Sequence, residues 1–454
     1  MTVLKNNLRV GFARVDITPP LGYPIGGYFN VRYADGILDN LYADAIAVSC
    51  GETVGVLLAV DNLGFIAKDA KAFRKKIAQE NGFPEDAIFL SCTHIHTGPQ
   101  THTEVYGALE DKWQYYIDFL ASRLSDAVSL SLRDLKQAKM GWAVTELDQI
   151  AYKRRFRMKD GTVRTNPGLL NPDVVAPIGE VDKALSLVRF VREGGGDVLL
   201  VNFGLHTDTV KGNKFSADYV HYLRQTLECV LPEAHCSFFC GAQGDVGGVD
   251  IMKPAIFPRE PSNTSRARHV GYSMAGAVLQ VYSKMKCTDV TSVSFGILNF
   301  EAPSNRADES RLPWARKIME LYKAGKNEEI NAMGPKGGDT SMTRVTMVAE
   351  AQRILQLEHG PDSFTLPISG VRIGDVAFVG IPGEPFTDIG VEIKKGSSYA
   401  LTVPCGMTNG FEAYFPMQDS YDEGGYEAVG SVFGPHTAEL LIENCLKMLR
   451  ILAE

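Results

Sequence analysis

Short apolar runs, each closed off by glycine, proline or polar turn residues, recur along the whole chain, and amphipathic stretches separate them. The runs Ala45–Ser49, Val54–Val60, Ile88–Cys92, Ser186–Phe190, Val198–Phe203, Ser237–Cys240 and Val376–Ile381 read as strands. Helical spacing falls at about Ala67–Glu80, Lys112–Leu132, Asp218–Val230, Arg266–Met285, Leu312–Tyr322, Val345–Leu357 and Ala438–Leu452. Glu193–Asp197, with three consecutive glycines, reads as a hairpin loop between two strands. Strands and helices mixed from end to end predict an α/β (mixed α+β) protein. No linker divides the chain, so 1–454 is read as one catalytic domain, with 304–339 as an insertion or lid.

The chain has 454 residues, 45% hydrophobic and 22% charged, enough for a large core without disulfide or metal staples. A net charge of −8 argues against nucleic acid or an anionic membrane as partner, since both need a basic face. The eight cysteines are scattered without a CxxC pair and read as reduced core thiols. The first twenty residues hold no cationic segment followed by an apolar run, and no window carries the ~18 apolar residues of a membrane span. The expectation is a soluble, cytoplasmic protein acting on a small molecule, with homo-oligomerisation left open.

Chemistry gathers where the apolar runs end. Ile88–Cys92 leads into Thr93-His94-Ile95-His96-Thr97-Gly98-Pro99, with His102 shortly after. In extended chain, residues i and i+2 project from one side, so His94 and His96 could meet on one ion. The plain alternative is two histidines bonded to loop backbone. Val198–Phe203 leads to Gly204-Leu205-His206, and Val376–Ile381 to Pro382-Gly383-Glu384 at the opening of a helix. Alone, each of these is more often structural, Glu384 being a carboxylate placed favourably at a helix start. Together, His, His and Glu at three strand ends suit zinc with a position left for water. Such an ion makes a hydroxide nucleophile without a serine triad.

Three further segments stand out. Gly241–Gly248 is a glycine-rich loop without the P-loop lysine or dinucleotide spacing, so nucleotide binding is disfavoured. Tyr152–Arg157 is a cationic knot that could clamp a carboxylate or oxyanion, or form a solvated strand face. The tract from Asn409 to Thr437 supplies Tyr414, Tyr421 and Tyr426, which could line a pocket or only cover core.

Taken in order, these segments resemble the neutral/alkaline (non-lysosomal) ceramidase family. The likeness begins with Gly11-Phe12-Ala13-Arg14-Val15-Asp16-Ile17-Thr18-Pro19-Pro20. It runs through the His94–His96 segment, Gly204-Leu205-His206, Gly244-Asp245-Val246 and Pro382-Gly383-Glu384, and closes with Tyr414 to Thr437. The resemblance implies twisted mixed sheets wrapped in helices and one Zn2+ per chain, held by His94, His206, Glu384 and Tyr414. A second divalent ion is an open alternative. It further implies His96 positioning or deprotonating at the reacting centre, Tyr426 stabilising an oxyanion and Arg154 on the substrate side. Arg155, Gly244, Asp245 and Gly247 are the remaining substrate-binding candidates. The family has a serine where this chain has Gly247, and its C-terminal immunoglobulin-like domain is not in these residues. The expected reaction is therefore metal-dependent hydrolysis of an amide or related bond in a small, polar substrate. The alternatives are ceramidase proper, an ester, lactone or glycoside hydrolase, and a non-catalytic binding protein.

Overall fold

The computed structural model describes residues 7–101, 113–255, 263–335 and 340–454. His102 and Lys112 lie outside the described residues, as do 336–339 of the 304–339 segment.

The larger sheet has eight strands: β1 (Arg9–Asp16), β2 (Tyr42–Cys50), β3 (Thr53–Val60), β4 (Ile88–Cys92), β5 (Lys136–Glu146), β6 (Ala184–Arg192), β7 (Val198–Phe203) and β8 (His235–Cys240). Their order is β8-β7-β6-β5-β1-β2-β3-β4. A second sheet pairs β9 (Val293–Pro303), β10 (Ser363–Ile373), β11 (Val376–Gly380) and β12 (Leu401–Cys405), in that order. The mixed α/β class and the 193–197 hairpin loop, which joins antiparallel β6 and β7, are as expected.

The sheets stack face to face between helices. Along β2 the side chains alternate: Ile46 and Val48 face the second sheet, while Ala43, Ala45 and Ala47 face helices. Between the sheets, Phe89, Phe239 and Phe378 meet with ring centroids 6.4–6.5 Å apart. Truncating any one of them to alanine should cost about 3–5 kcal/mol. On the outer side of the larger sheet lie α1 (Ala67–Asn81), α2 (Gln114–Arg133), α3 (Asp218–Val230) and α4 (Ser265–Tyr282). The smaller sheet's outer face is covered by α8 (Thr387–Gly396) and α9 (Thr437–Ile451). To one side, α5 (Leu312–Lys323) and α6 (Asn327–Met333) pack on α7 (Thr340–Leu357) through Ala315, Ile318, Leu321 and Ile330. No helix among the described residues is long and apolar enough to cross a membrane. All eight cysteines are free.

Five long strands escaped the sequence reading, and each has a local cause. β1 is interrupted by Arg9, Arg14 and Asp16, and β5 opens on Lys136, Gln137 and Lys139 and contains Gly141, so neither reads as an apolar run. β9 contains Gly296, β10 contains Pro367 and Gly370, and β12 contains Pro404, all residues that depress strand propensity.

One relationship positions the site. Three strand–helix–strand units, β3-α1-β4, β7-α3-β8 and β11-α8-β12, each end in a parallel pair. Their last partners are Val60 with Cys92, Phe203 with Cys240, and Gly380 with Cys405. β4 and β8 are opposite edges of the larger sheet, and the chain leaving β12 runs between them. Gly406 N donates to Cys240 O at 2.9 Å, Cys92 N to Met407 O at 3.1 Å and Asn409 N to Leu90 O at 2.8 Å. The three units thus bring their carboxyl ends together, where open α/β sheets place ligands.

Candidate metal centre

His94 and His96 leave the end of β4, but not in extended chain. His94 sits in the left-handed region at φ 63, costly for a non-glycine residue and concentrated at functional sites. The alternation argument for the pair therefore fails, and a turn brings the rings together instead. Their centroids lie 5.1 Å apart at 83°. The turn is stitched to the end of β7, where His96 N donates to Thr207 O at 3.1 Å and Thr207 Oγ1 to Thr93 O at 2.7 Å. His206, one residue before Thr207, is thereby held with its ring 4.9 Å from that of His94.

Each imidazole is oriented by a backbone carbonyl. His94 Nδ1 donates to Leu63 O at 2.9 Å, His96 Nδ1 to Gly27 O at 2.9 Å, and His206 Nδ1 to Gln243 O at 2.8 Å. A carbonyl oxygen only accepts, so each Nδ1 carries a proton, and in the neutral ring Nε2 is then the nitrogen with a lone pair to offer. One ligand nitrogen from each ring lies within 4.8 Å of those of the other two. Burial pushes His96 down to about 3, opposed by Asp208, and it lowers His206 too, with Arg154 adding to the effect. Both rings are neutral at pH 7.

Glu384 completes the cluster. Its Oε2 stands 2.9 Å from His206 Nε2 and 3.2 Å from His94 Nε2, and the residue is 3% exposed. The Nε2 atoms of His94 and His96 and Glu384 Oε2 are buried without a hydrogen-bond partner. An anionic oxygen against imidazole lone pairs is repulsive unless a cation lies among them, so this donor set fits a divalent metal.

Tyr414 is the strand partner of Glu384 in a short parallel ladder, and its ring stacks 6.4 Å from that of His206. Burial pushes its phenol well up, with Arg154 opposing, so ligation as tyrosinate requires a dication beside it. Arg154 lies over the Tyr414 ring at 5.3 Å, donates from Nη2 to Gly244 O at 2.7 Å and from Nη1 to His206 Nε2 at 3.3 Å. A cation taken at Nε2 would displace that last contact. Tyr426 opens the helical turn Tyr426–Gly430, its ring 5.6 Å from Tyr414. His94, His96, His206, Glu384, Tyr414, Tyr426 and Arg154 thus converge.

The other expected substrate-side residues lie around this cluster rather than in it. Arg155 turns away, donating to Ser420 Oγ at 2.7 Å and Gly424 O at 2.8 Å. Asp245 is buried in an ion pair with Lys153, and its Oδ1 accepts from Thr387 N at 2.9 Å at the start of α8. Gly244 packs against the backbone of Glu384, where a Cβ would lie 2.5 Å from its carbonyl oxygen. Gly247 is roomy, since a Cβ there would meet only Arg154 Cβ at 3.9 Å.

Sequence reasoning assigned no role to Glu427, fully buried with Oε1 2.7 Å from Arg154 Nε. It also missed Gly27, which orients His96, and Asp208, which faces His96 and pairs with Tyr28 and Lys211. A usable signal was present for one of them: a carboxylate beside Tyr426 in a chain that buries an arginine cluster elsewhere.

Two cavities meet at the cluster. One, of 160 Å³, is lined by His94, His96, Glu384, Tyr414 and Tyr426, with Leu63, Phe411 and Val432. The other, of 670 Å³, shares His96, Tyr414 and Tyr426 and adds Arg154, Asn166, Asp208, Lys211 and Arg344.

Comparison with solved structures decides the fold. The neutral ceramidase of Pseudomonas aeruginosa superposes on 98% of this chain with a TM-score of 0.73, at 16% sequence identity over 75% of that protein. The fold is neutral ceramidase-like. A ceramidase structure complexed with C2 gives the same picture, at TM-score 0.71 and 15% identity, again covering 98% of this chain and 75% of that one. Among curated proteins, a neutral ceramidase of Oryza sativa subsp. japonica is 27% identical over 95 residues. Neutral ceramidase 3 of Arabidopsis thaliana is 23% identical over 154 residues. These matches cover 18% and 32% of this chain, and only 12% and 20% of the relatives' own lengths. No protein-family model matches the chain.

Proposed function

We propose that this neutral ceramidase-like domain is a zinc-dependent hydrolase that cleaves an amide or related bond. The observation that carries the proposal is the buried meeting of the His94, His96 and His206 imidazoles, each oriented through Nδ1, with the Glu384 carboxylate. In this reading His94, His206, Glu384 and Tyr414 hold the ion. Bound there, zinc would act as a Lewis acid and lower the pKa of a coordinated water towards ~7.

The chain's own groups do the rest. His96, neutral and fixed by Gly27, takes a proton at Nε2 and returns it to the leaving nitrogen. Arg154, held by Glu427, and the Tyr426 hydroxyl donate to the substrate oxygen as charge develops on it. The charged groups in the lining of the 670 Å³ cavity, Arg154, Asp208, Lys211 and Arg344, support a small, polar substrate over a two-chain lipid. The overall likeness to ceramidases favours a second reading, turnover of ceramide itself, which an assay on detergent-dispersed ceramide separates from the first.

The test is elemental analysis of the purified chain and of His206→Ala, with an amide-substrate screen alongside. About one zinc per chain, lost with activity in the variant, is the expected result. A chain that neither holds nor takes up zinc would leave a ligand-binding protein as the better reading.

A further inference from the structure

We propose that the narrow cavity beside the histidine cluster is a carboxylate-binding subsite built on Arg353, so that the substrate is an amide carrying a short acidic group, of the N-acyl amino acid class. The substrate class rests on the hydrolase reading above; the subsite itself does not.

One wall of this 160 Å³ cavity is helix α7, which presents Ala349, Gln352, Arg353 and Gln356 to it. That spacing is one helical face, and it turns hydrogen-bonding groups towards Glu384 and the histidines. The wall is unusual for a lipid site because Arg353 is only 7% exposed. Its Nη1 donates to Asn305 O, while its Nε is buried without an acceptor. Glu350, the acidic residue nearest in sequence, is already paired with Arg311 at 2.9 Å.

Three other buried arginines of the fold stand directly against a carboxylate. Arg14 stands 2.6 Å from Asp44, Arg154 2.7 Å from Glu427 and Arg224 2.6 Å from Asp61. No carboxylate lies at ion-pair distance from Arg353 among the described residues; Glu350, held by Arg311, acts on it only at longer range. Burial draws its guanidinium below the ordinary value, with Glu350 opposing, as burial also does for Arg74 beside Glu85, whereas those three are raised. A buried cation without a counter-ion is costly, and the planar guanidinium fork matches a carboxylate. The acids already lining the cavity are engaged: Glu384 with His94 and His206, Glu412 with Ala67 N at 2.5 Å. The anion that satisfies Arg353 therefore comes from outside the chain, and the cavity's size limits it to a short group.

The experiment is calorimetric titration of the full chain, stripped of metal so that zinc cannot bind the probe, with butanoate and its neutral isostere butanamide. Wild type should bind butanoate at least tenfold more tightly. Arg353→Gln should abolish that preference, and Arg353→Lys, which keeps charge without the fork, should weaken it. Should Arg353→Gln fail to fold, the wild-type preference and its weakening in Arg353→Lys carry the test. Equal binding of the two probes, binding of neither, or an undiminished preference in a folded Arg353→Gln chain would overturn the subsite.

A parallel assay of the zinc-loaded chain compares N-butanoylglycine with N-butanoylethylamine. Hydrolysis of neither, with the butanoate preference intact, sinks the hydrolase reading alone. Equal hydrolysis of both sinks the subsite alone.

Discussion

The Arg154 guanidinium and the Glu427 carboxylate form an ion pair at 2.7 Å in which Glu427 has no solvent exposure. Thr165 Oγ1 donates to the other Glu427 oxygen at 2.6 Å, which fixes the carboxylate, and its charge holds Arg154 over Tyr414. Glu427→Ala would leave a buried unpaired guanidinium, and a stability loss of about 3–5 kcal/mol is expected by chemical denaturation. Glu427→Gln keeps the shape and should cost less stability, while lowering kcat of amide hydrolysis roughly 100-fold as Arg154 loses its anchor. A Glu427→Gln enzyme with unchanged kcat would remove Arg154 from the reaction.

Gly27 adopts φ 99, and a Cβ there would lie 2.8 Å from His96 Nδ1. An alanine is strained by the backbone and also pushes the ring off the carbonyl that orients it. Gly27→Ala should therefore reduce turnover some 10–100-fold, the usual effect of losing a group that orients a site histidine. A variant as active as wild type would show that His96 needs no fixed orientation.

Two glycines of one loop should behave oppositely. Gly244→Ala drives a methyl into the Glu384 backbone, so a loss of about 1–3 kcal/mol and weaker zinc retention are expected. Gly247→Ser enters open space beside Arg154 and should change stability by no more than about 0.5 kcal/mol. Thermal melts with zinc analysis check both, and equal melting losses would contradict the packing described.

Asp39 accepts from Ala217 N and Ser216 Oγ, each at 2.6 Å, and is 7% exposed. Burial pushes its carboxyl up to about 7 against those donors, with Asp61 and Asp218 adding to the rise. A carboxyl raised in the fold binds its proton more tightly there than in the unfolded chain. Its contribution to stability is therefore complete below about pH 4 and is lost as pH climbs towards 7. The slope is up to about 1.4 kcal/mol per pH unit. Denaturation midpoints from pH 4 to 8 should fall less steeply in Asp39→Asn than in wild type. Parallel curves would assign the titration to other groups.

Much of the site was legible because its residues stand in local signatures. Apolar β4, β7 and β11 are central or edge strands buried on both faces, so their hydrophobic runs are nearly continuous and their ends are sharp. His94, His206 and Glu384 are conspicuous immediately after them. The partners that tune these residues were not legible, since Leu63, Gly27 and Gln243 act through backbone carbonyls, which any residue type can supply. Arg353 was hidden for another reason: as one cation in a helical stretch, nothing local separates it from a solvated arginine.

From residue pattern alone followed the mixed α/β class, the strand ends that carry chemistry, and the ordered likeness to the neutral ceramidases. Those are consequences of side-chain periodicity and of which residue follows which, and both are local. Only the tertiary structure decided that β4 and β8, opposite edges of one sheet, are bridged by the chain leaving β12. That closure draws histidines more than a hundred residues apart against one carboxylate, because buried backbone groups at open sheet edges must find partners across space. It also left Arg154 against a carboxylate and Arg353 without one at ion-pair distance, a distinction set by what each guanidinium meets in the folded chain.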